Sequence, residues 1–380
     1  MILKTNKILR KLNECEKGSE RYILIQGKKL LNFGSNNYLG LSNHPALKKA
    51  AQKAIDQYGI SSCSSRLLSG NIHLYRILEE KIKELKKTEA ALVFNSGYLT
   101  NLGIISNLAK EYNIIFCDKY NHASIIDGIL LSKTPFKRYP HKNTIALEKS
   151  LKENDKQNKM LITDAVFSMN GNIAPLNSLV EISQKNKCFL IIDDAHGTGV
   201  LGKNGTGTLE HLGISSKKID LQIGTFSKAL GGFGGFAAGS KDLIEHLINT
   251  CRSFIYTTSL PPAILASNIK SIEILEKEPE RREKLWENTY YFQKELLNLE
   301  FDIMQTETPI VPILLKDDEI SLNFSKKLFE QNIFIPAIRP PSVPIKKSQL
   351  RISLSSLHSK KDLDYVLEQM KKIKNKLKIN

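Results

Sequence analysis

Lys228 sits in 220-DLQIGTFSKALGGFGG-235, between an apolar run and a cluster of glycines. An amine held at the end of a buried strand loses solvation. Its pKa falls, and it becomes a nucleophile toward carbonyls. Asp193 closes another apolar run, 188-CFLIID-193, 35 residues earlier. A carboxylate so placed is partly desolvated and needs a cationic or proton-donating partner. Ser96-Gly97-Tyr98 follows the run ALVF and opens a helical pattern. Free backbone N–H groups at such a junction bind anions. Asn95, Asp118, His122, Ser168, Asp194, His196, Thr225 and Ser227 also follow strand-like runs.

Each group alone has a plainer reading. Ser96 and His122 suit helix caps, Asp193 an internal ion pair, and His196 a structural role in a turn. Their coincidence at strand ends points further. In an open α/β sheet, ligands bind outside the carboxyl ends of the strands. An aldehyde cofactor bearing a phosphate and a basic ring nitrogen would use every piece. The phosphate takes the helix N-terminus and the hydroxyls near Lys228, the ring nitrogen takes the carboxylate, and the aldehyde takes the lysine. Pyridoxal phosphate has this chemistry.

The elements that must position these groups alternate. Strand-like ALVF, NIIFCD, MLITDAVFS, CFLIIDDAH, DLQIGTFS and GGFAAGS are separated by helical patterns such as YLTNLGIISNLAK, HASIIDGILLS and LNSLVEISQKNK; KDLIEHLINTCRSF follows as one more helix. Continuous apolar strands between helices predict an α/β fold with a mostly parallel sheet covered on both faces. After 260-LPP-262 the texture changes to two long helices, then the shorter strands PIVPILL, IFIPAI and QLRISLS, and a basic amphipathic helix over 360–377. This predicts a large domain over 41–262, a smaller α+β domain over 263–380, and an N-terminal segment over 1–40 packing on the small domain. Ile2, Leu3, Ile8, Leu9 and Leu12 predict a short amphipathic helix at the start.

Composition narrows the class. The 380 residues are 41% hydrophobic and 25% charged, which is globular composition. No stretch approaches the roughly 18 unbroken apolar residues of a membrane span. Five scattered cysteines form no disulfide or zinc spacing and suit a reducing cytoplasm. The net charge of +16 raises the question of nucleic acid. Its lysines are interleaved with acids along the chain, as on solvated helix faces; a basic surface still suits an acidic substrate or carrier. The segment 197-GTGVLG-202 matches a dinucleotide fingerprint, but glycine and polar turn residues follow it where a helix should open.

The segments 35-SNNYLGLS-42, 121-NHASIIDG-128, 163-TDAVFSMNG-171, 193-DDAHGTGVLG-202, 225-TFSKALGGFGG-235 and 338-IRPPSVP-344 run nearly end to end. Through them the chain resembles the α-oxoamine synthases of the fold-type-I pyridoxal-phosphate enzymes. The resemblance implies that Lys228 forms the Schiff base and serves as the base for the substrate Cα proton. It implies that Asp193 pairs with the pyridine nitrogen and that His122 stacks on the ring. Ser168 and His196 would hold the 3-hydroxyl region, and Gly97, Tyr98 and Thr225 would lie along the cofactor and its phosphate. Thr258 would reach the phosphate of the partner subunit, since family sites lie at a homodimer interface. Arg10, His122 and Ser342 match substrate-contacting positions. Arg351 alternates with Leu350 and Ile352 in 350-LRISL-354, so it lies off the core face and can grip a carboxylate. The segments IRPPSVP and DDAHGTGVLG are most like members that join L-alanine to a pimeloyl thioester, on coenzyme A or an acyl carrier protein. Members using glycine or serine are the alternative. One departure stands out: Ser61-Ser62-Cys63-Ser64-Ser65 replaces a stretch that is richer in glycine in the family, where a loop is expected to contact the active site.

Overall fold

The computed structural model describes residues 12–16 and 20–379. Arg10 and most of the expected N-terminal helix lie outside them. The chain begins with a hairpin of β1 (Tyr22–Ile25) and β2 (Lys28–Asn32), then α1 (Pro45–Tyr58) and α2 (His73–Lys86). Alternation follows: β3 (Ala90–Phe94), α3 (Gly97–Leu108), β4 (Ile114–Asp118), α4 (Ala123–Ser132), β5 (Phe136–Tyr139), α5 (Thr144–Lys152), β6 (Lys159–Asp164), α6 (Leu176–Lys185), β7 (Cys188–Asp193), α7 (Thr208–His211), β8 (Leu221–Thr225) and β9 (Gly235–Gly239). Helices α8 (Lys241–Thr250), α9 (Arg252–Ile255), α10 (Pro262–Lys277) and α11 (Glu280–Asn298) come next. The chain closes with β10 (Ile310–Lys316), α12 (Asp318–Glu330), β11 (Ile333–Phe334), β12 (Ala337–Ile338), β13 (Ser348–Ser353) and α13 (Lys360–Leu377).

Seven strands form the central sheet in the order β3-β9-β8-β7-β6-β4-β5. Only β9 runs against the others, pairing antiparallel with β3 and β8. The nine residues between β8 and β9 are too few for a crossover, so the strand must return beside its predecessor. Both faces are covered. Ile115 and Cys117 of β4 join the cluster under α3, α4 and α8, while Ile114 and Phe116 join the one under α5 and α6. A two-residue period with apolar residues at every position is what a doubly covered parallel strand requires.

Two small sheets flank this core, β1-β2-β11 and β10-β13-β12. β2 pairs in parallel with β11. Phe33 stacks on His358 with ring centroids 4.1 Å apart.

Three boundaries differ from the sequence reading. The expected strand MLITDAVFS stops at Asp164. Beyond it, Phe167 N–H donates to Asn172 O and Gly171 N–H to Phe167 O, a tight turn that takes the backbone out of the ladder. IFIPAI divides into β11 and β12, which belong to different sheets. Pro336 lies at the break and cannot donate to a ladder. The helix expected through KDLIEHLINTCRSF breaks at Cys251, whose backbone is extended, at φ −76 and ψ 106.

Candidate active site

Five strand ends of the central sheet surround one cavity of about 230 Å³. Ser96, Gly97 and Tyr98 enter from β3, His122 from β4, Asp164 from β6, Asp193 and His196 from β7, and Thr225, Ser227 and Lys228 from β8.

Helix α3 begins at this cavity. Ser96 caps it by accepting the Leu99 N–H at 3.2 Å, which leaves the Gly97 and Tyr98 N–H groups without a partner among the described residues. Gly97 faces Thr225 so closely that a Cβ there would lie 3.3 Å from the threonine Cβ. Gly235 backs this junction, and a Cβ on it would come within 2.9 Å of Gly97 N and Cα. The Thr225 and Ser227 hydroxyls stand 2.8 Å apart. These groups fit a phosphate: free N–H donors, hydroxyls and a backbone without side-chain bulk.

Lys228 lies on the turn after β8. Its ammonium makes no hydrogen bond or ion pair among the described residues. Burial pushes its pKa down to about 8, against the pull of Asp193 and Asp164. It also borders a second, larger cavity of about 790 Å³, beside Ser35, Asn36 and Asn37. An amine in this condition is available for carbonyl chemistry.

Asp193 is buried and held from two sides. Its Oδ1 accepts the Ala195 N–H at 2.9 Å, and its Oδ2 accepts from Asn101 Nδ2 at 2.6 Å. Asp164 is its register partner on β6. Burial and the neighbouring Asp193 push the Asp164 carboxyl well above the usual range. His122 caps α4: its Nδ1 accepts from Ser124 N–H at 3.2 Å and lies 2.7 Å from Ser124 Oγ. Its own N–H donates to Asp164 Oδ2 at 2.7 Å. Burial holds the ring below the usual histidine range, opposed by Asp193. His196 is buried against Tyr38, Nδ1 to hydroxyl 2.9 Å, and burial pushes it well below that range too. Capping and a site position therefore coexist at Ser96 and His122.

The remaining expected residues fall elsewhere. Ser168 is not at a strand end but four residues past one, on the turn; its carbonyl accepts from Arg351 Nε at 2.7 Å. Arg351 is buried, because both faces of β13 are covered. Its NH1 donates to Ser353 Oγ at 2.9 Å and NH2 to Asn36 Oδ1 at 3.1 Å. Three of its five N–H donors are thus engaged, and the guanidinium also hydrogen-bonds the Tyr38 side chain. Ser342 lines a separate cavity of about 480 Å³ with Tyr120, Phe167 and Met169. Thr258 is exposed and bridges Ser65. The serine-rich loop does not line the cavity of this chain; it packs on 258–259, where Ser64 O accepts the Ser259 N–H at 3.0 Å. Only Cys63 within 61–65 has positive φ, 51°, so the serines avoid the region that disfavours a Cβ.

Sequence reasoning passed over Asn101, Ser124, Asp164 and Tyr38. Asp164 carried a readable signal, an acid closing an apolar run as Asp193 does. Asn101 lies one turn after Gly97 and so on the same helix face. Segment 197–207 forms consecutive turns, not a helix start. It wraps Asp194, which pairs with Lys86 at 2.8 Å, both side chains 1% exposed.

Comparison with known proteins agrees with this geometry. Residues 28–370 match the aminotransferase class I and II family. The 8-amino-7-oxononanoate synthase 1 of Bacillus subtilis (strain 168) is 41% identical over 378 residues, 99% of this chain and 96% of that one. A serine palmitoyltransferase from S. paucimobilis, solved with bound PLP, superposes with a TM-score of 0.94 at 30% identity, covering 97% of this chain and 94% of that one. The 8-amino-7-oxononanoate synthase of Francisella tularensis superposes at 0.80 with 31% identity, over 92% and 99%. With a buried lysine, a buried aspartate and a helix N-terminus around one cavity, the chain belongs to the aminotransferase class I and II family and, within it, to the pyridoxal-phosphate-dependent α-oxoamine synthases.

Proposed function

We propose that the chain condenses L-alanine with a pimeloyl thioester, releasing carbon dioxide and the free thiol and giving 8-amino-7-oxononanoate for biotin synthesis. Relatives of that name are 41–44% identical over nearly the full length. The observation that carries the reading to the chemistry is Lys228, whose buried amine lines the cavity with Asp193 and is pushed down to about 8.

Pyridoxal 5′-phosphate supplies an aldehyde that joins amines and a ring that accepts the electrons of a carbanion. Lys228 Nζ would hold the aldehyde, and its neutral amine would serve as the base for the alanine Cα proton. Asp193 would hold the ring nitrogen and stabilise a proton there. His122 would pack on the ring, while His196, oriented by Tyr38, and Ser168 would hold the 3-hydroxyl region. The Gly97 and Tyr98 N–H groups and the Thr225 and Ser227 hydroxyls would take the phosphate. Arg351 would grip the alanine carboxylate. Ser342 and Arg10 contact the acyl substrate. Thr258, exposed beside the serine-rich loop, reaches the phosphate of a partner subunit in a homodimer. Coenzyme A or an acyl carrier protein bears the pimeloyl group, and the basic surface attracts either. The free cysteines suit a cytoplasmic setting.

The test is turnover of purified protein with alanine, glycine and serine, each against pimeloyl, succinyl and acetyl thioesters. Alanine with pimeloyl thioester should be the productive pair. Turnover of glycine or serine with another thioester, and none with this pair, would overturn the reading.

A further inference from the structure

A buried chain of side chains runs beneath the cavity, from Asp193 through Asn101 and Ser124 to His122. Asn101 Nδ2 donates to Asp193 Oδ2 at 2.6 Å and to Ser124 Oγ at 3.0 Å. Ser124 Oγ lies 2.7 Å from His122 Nδ1. The directions are fixed by chemistry. An amide nitrogen only donates, so Asn101 gives one hydrogen to the carboxylate and one to the hydroxyl. Ser124 then gives its own hydrogen to His122 Nδ1, which also accepts the Ser124 backbone N–H. The His122 proton therefore resides on Nε2. Asn101 is 2% exposed, and its Oδ1 has no hydrogen-bond partner among the described residues. Turning the amide over would set that oxygen against the carboxylate. The protein thus keeps a buried acceptor unsatisfied in order to aim the NH2 group at Asp193. An unsatisfied buried group in a native fold calls for such a reason.

We propose that Asn101 is a positioning residue: it fixes the Asp193 carboxylate toward the cofactor ring nitrogen and couples it through Ser124 to the His122 ring. This rests on reading the cavity as the pyridoxal-phosphate site, and not on the identity of the acyl donor. The groups facing the pair are Asp164 from β6, Lys228 from the turn after β8, and Asp127 from α4, all of which enter the electrostatics of His122, Asp164 or Lys228.

The near-isosteric Asn101→Leu removes both donated hydrogens and the orphan oxygen. Three quantities are measured: melting of the cofactor-free protein, the dissociation constant of pyridoxal phosphate, and the pH midpoint of the bound cofactor's visible band. A hydrogen bond to a charged group supports about a 10- to 100-fold loss of cofactor affinity. The midpoint should shift whether or not the cofactor-free protein melts lower, as loss of a donor to buried Asp193 allows. An affinity within twofold and an unmoved midpoint would overturn the proposal. So would a fall in cofactor-free melting with the midpoint unmoved, the mark of a merely structural residue. Should Asn101→Leu fail to fold, Ser124→Ala decides. It removes a donor to neutral His122, so the His122 titration seen by NMR in the cofactor-free protein should move upward, and an unmoved titration would overturn the coupling. Wild type that binds no pyridoxal phosphate would instead sink the reading of the cavity.

Discussion

Burial disfavours a charged amine, and at Lys228 it outweighs two carboxylates, leaving the pKa at about 8. Capture of pyridoxal phosphate by cofactor-free protein needs the neutral amine. Its rate, followed by stopped-flow absorbance, should rise with pH through a midpoint near 8. Asp193 raises that midpoint, so Asp193→Asn should lower it; a rate flat from pH 6 to 9 contradicts the assignment. Lys228 and Asp193 were legible in the sequence because a charge closing an apolar run has no cheap explanation. Asn101 and Ser124 were not, because short polar residues in a helix read equally well as solvent-facing. Ser168 was placed at a strand end because Ala165, Val166 and Phe167 continue the apolar run, and the turn signal Asn170-Gly171 comes only after it.

At the scale of elements, the glycine-rich stretch after β7 is held by charge. Lys86 Nζ donates to Asp194 Oδ2 at 2.8 Å, Thr198 Oγ1 at 2.7 Å and Thr206 O at 2.7 Å. Asp194 also accepts from Thr208 Oγ1. Lys86→Ala strands a buried carboxylate, and denaturant unfolding should show a loss of about 3–5 kcal/mol. A loss under 1 kcal/mol would mean that water reaches Asp194. The strands of the sheet were readable from apolar runs, whereas this ion pair joins residues 108 apart and leaves no local pattern. Gly235 tests the phosphate cradle. Gly235→Ala brings a Cβ within 2.9 Å of Gly97, so α3 must shift. Equilibrium titration should show weaker pyridoxal-phosphate binding, by about tenfold if one charge-assisted hydrogen bond is lost. Wild-type affinity would show that the cradle tolerates the shift.

At the scale of the whole molecule, the first and last segments meet at His358. It is buried against Phe33, accepts the Ser355 N–H at 3.1 Å and bonds Asn32 O at 3.0 Å. Burial pushes its pKa down to about 4, below the ordinary 6.5. The unfolded chain therefore takes up the proton first. The stability is whole above about pH 6.5 and falls as the pH drops from there toward 4. A gap of that size corresponds to about 3 kcal/mol by pH 4. Thermal melts across this window should decline in wild type and decline less in His358→Gln; parallel declines would contradict the assignment. The pairing of β2 with β11 was not legible, since β11 is two residues long and a parallel pairing between distant segments carries no periodicity.

The account turns on Lys228 as the attachment point of the cofactor. Borohydride reduction of the cofactor-loaded protein, followed by peptide mass spectrometry of wild type beside Lys228→Ala, tests it most directly. The predicted result is a stable pyridoxyl adduct on the peptide carrying Lys228 and none in the variant, which also fails to turn over alanine and pimeloyl thioester. An adduct on a different lysine of the wild type, or an active Lys228→Ala protein, would contradict it.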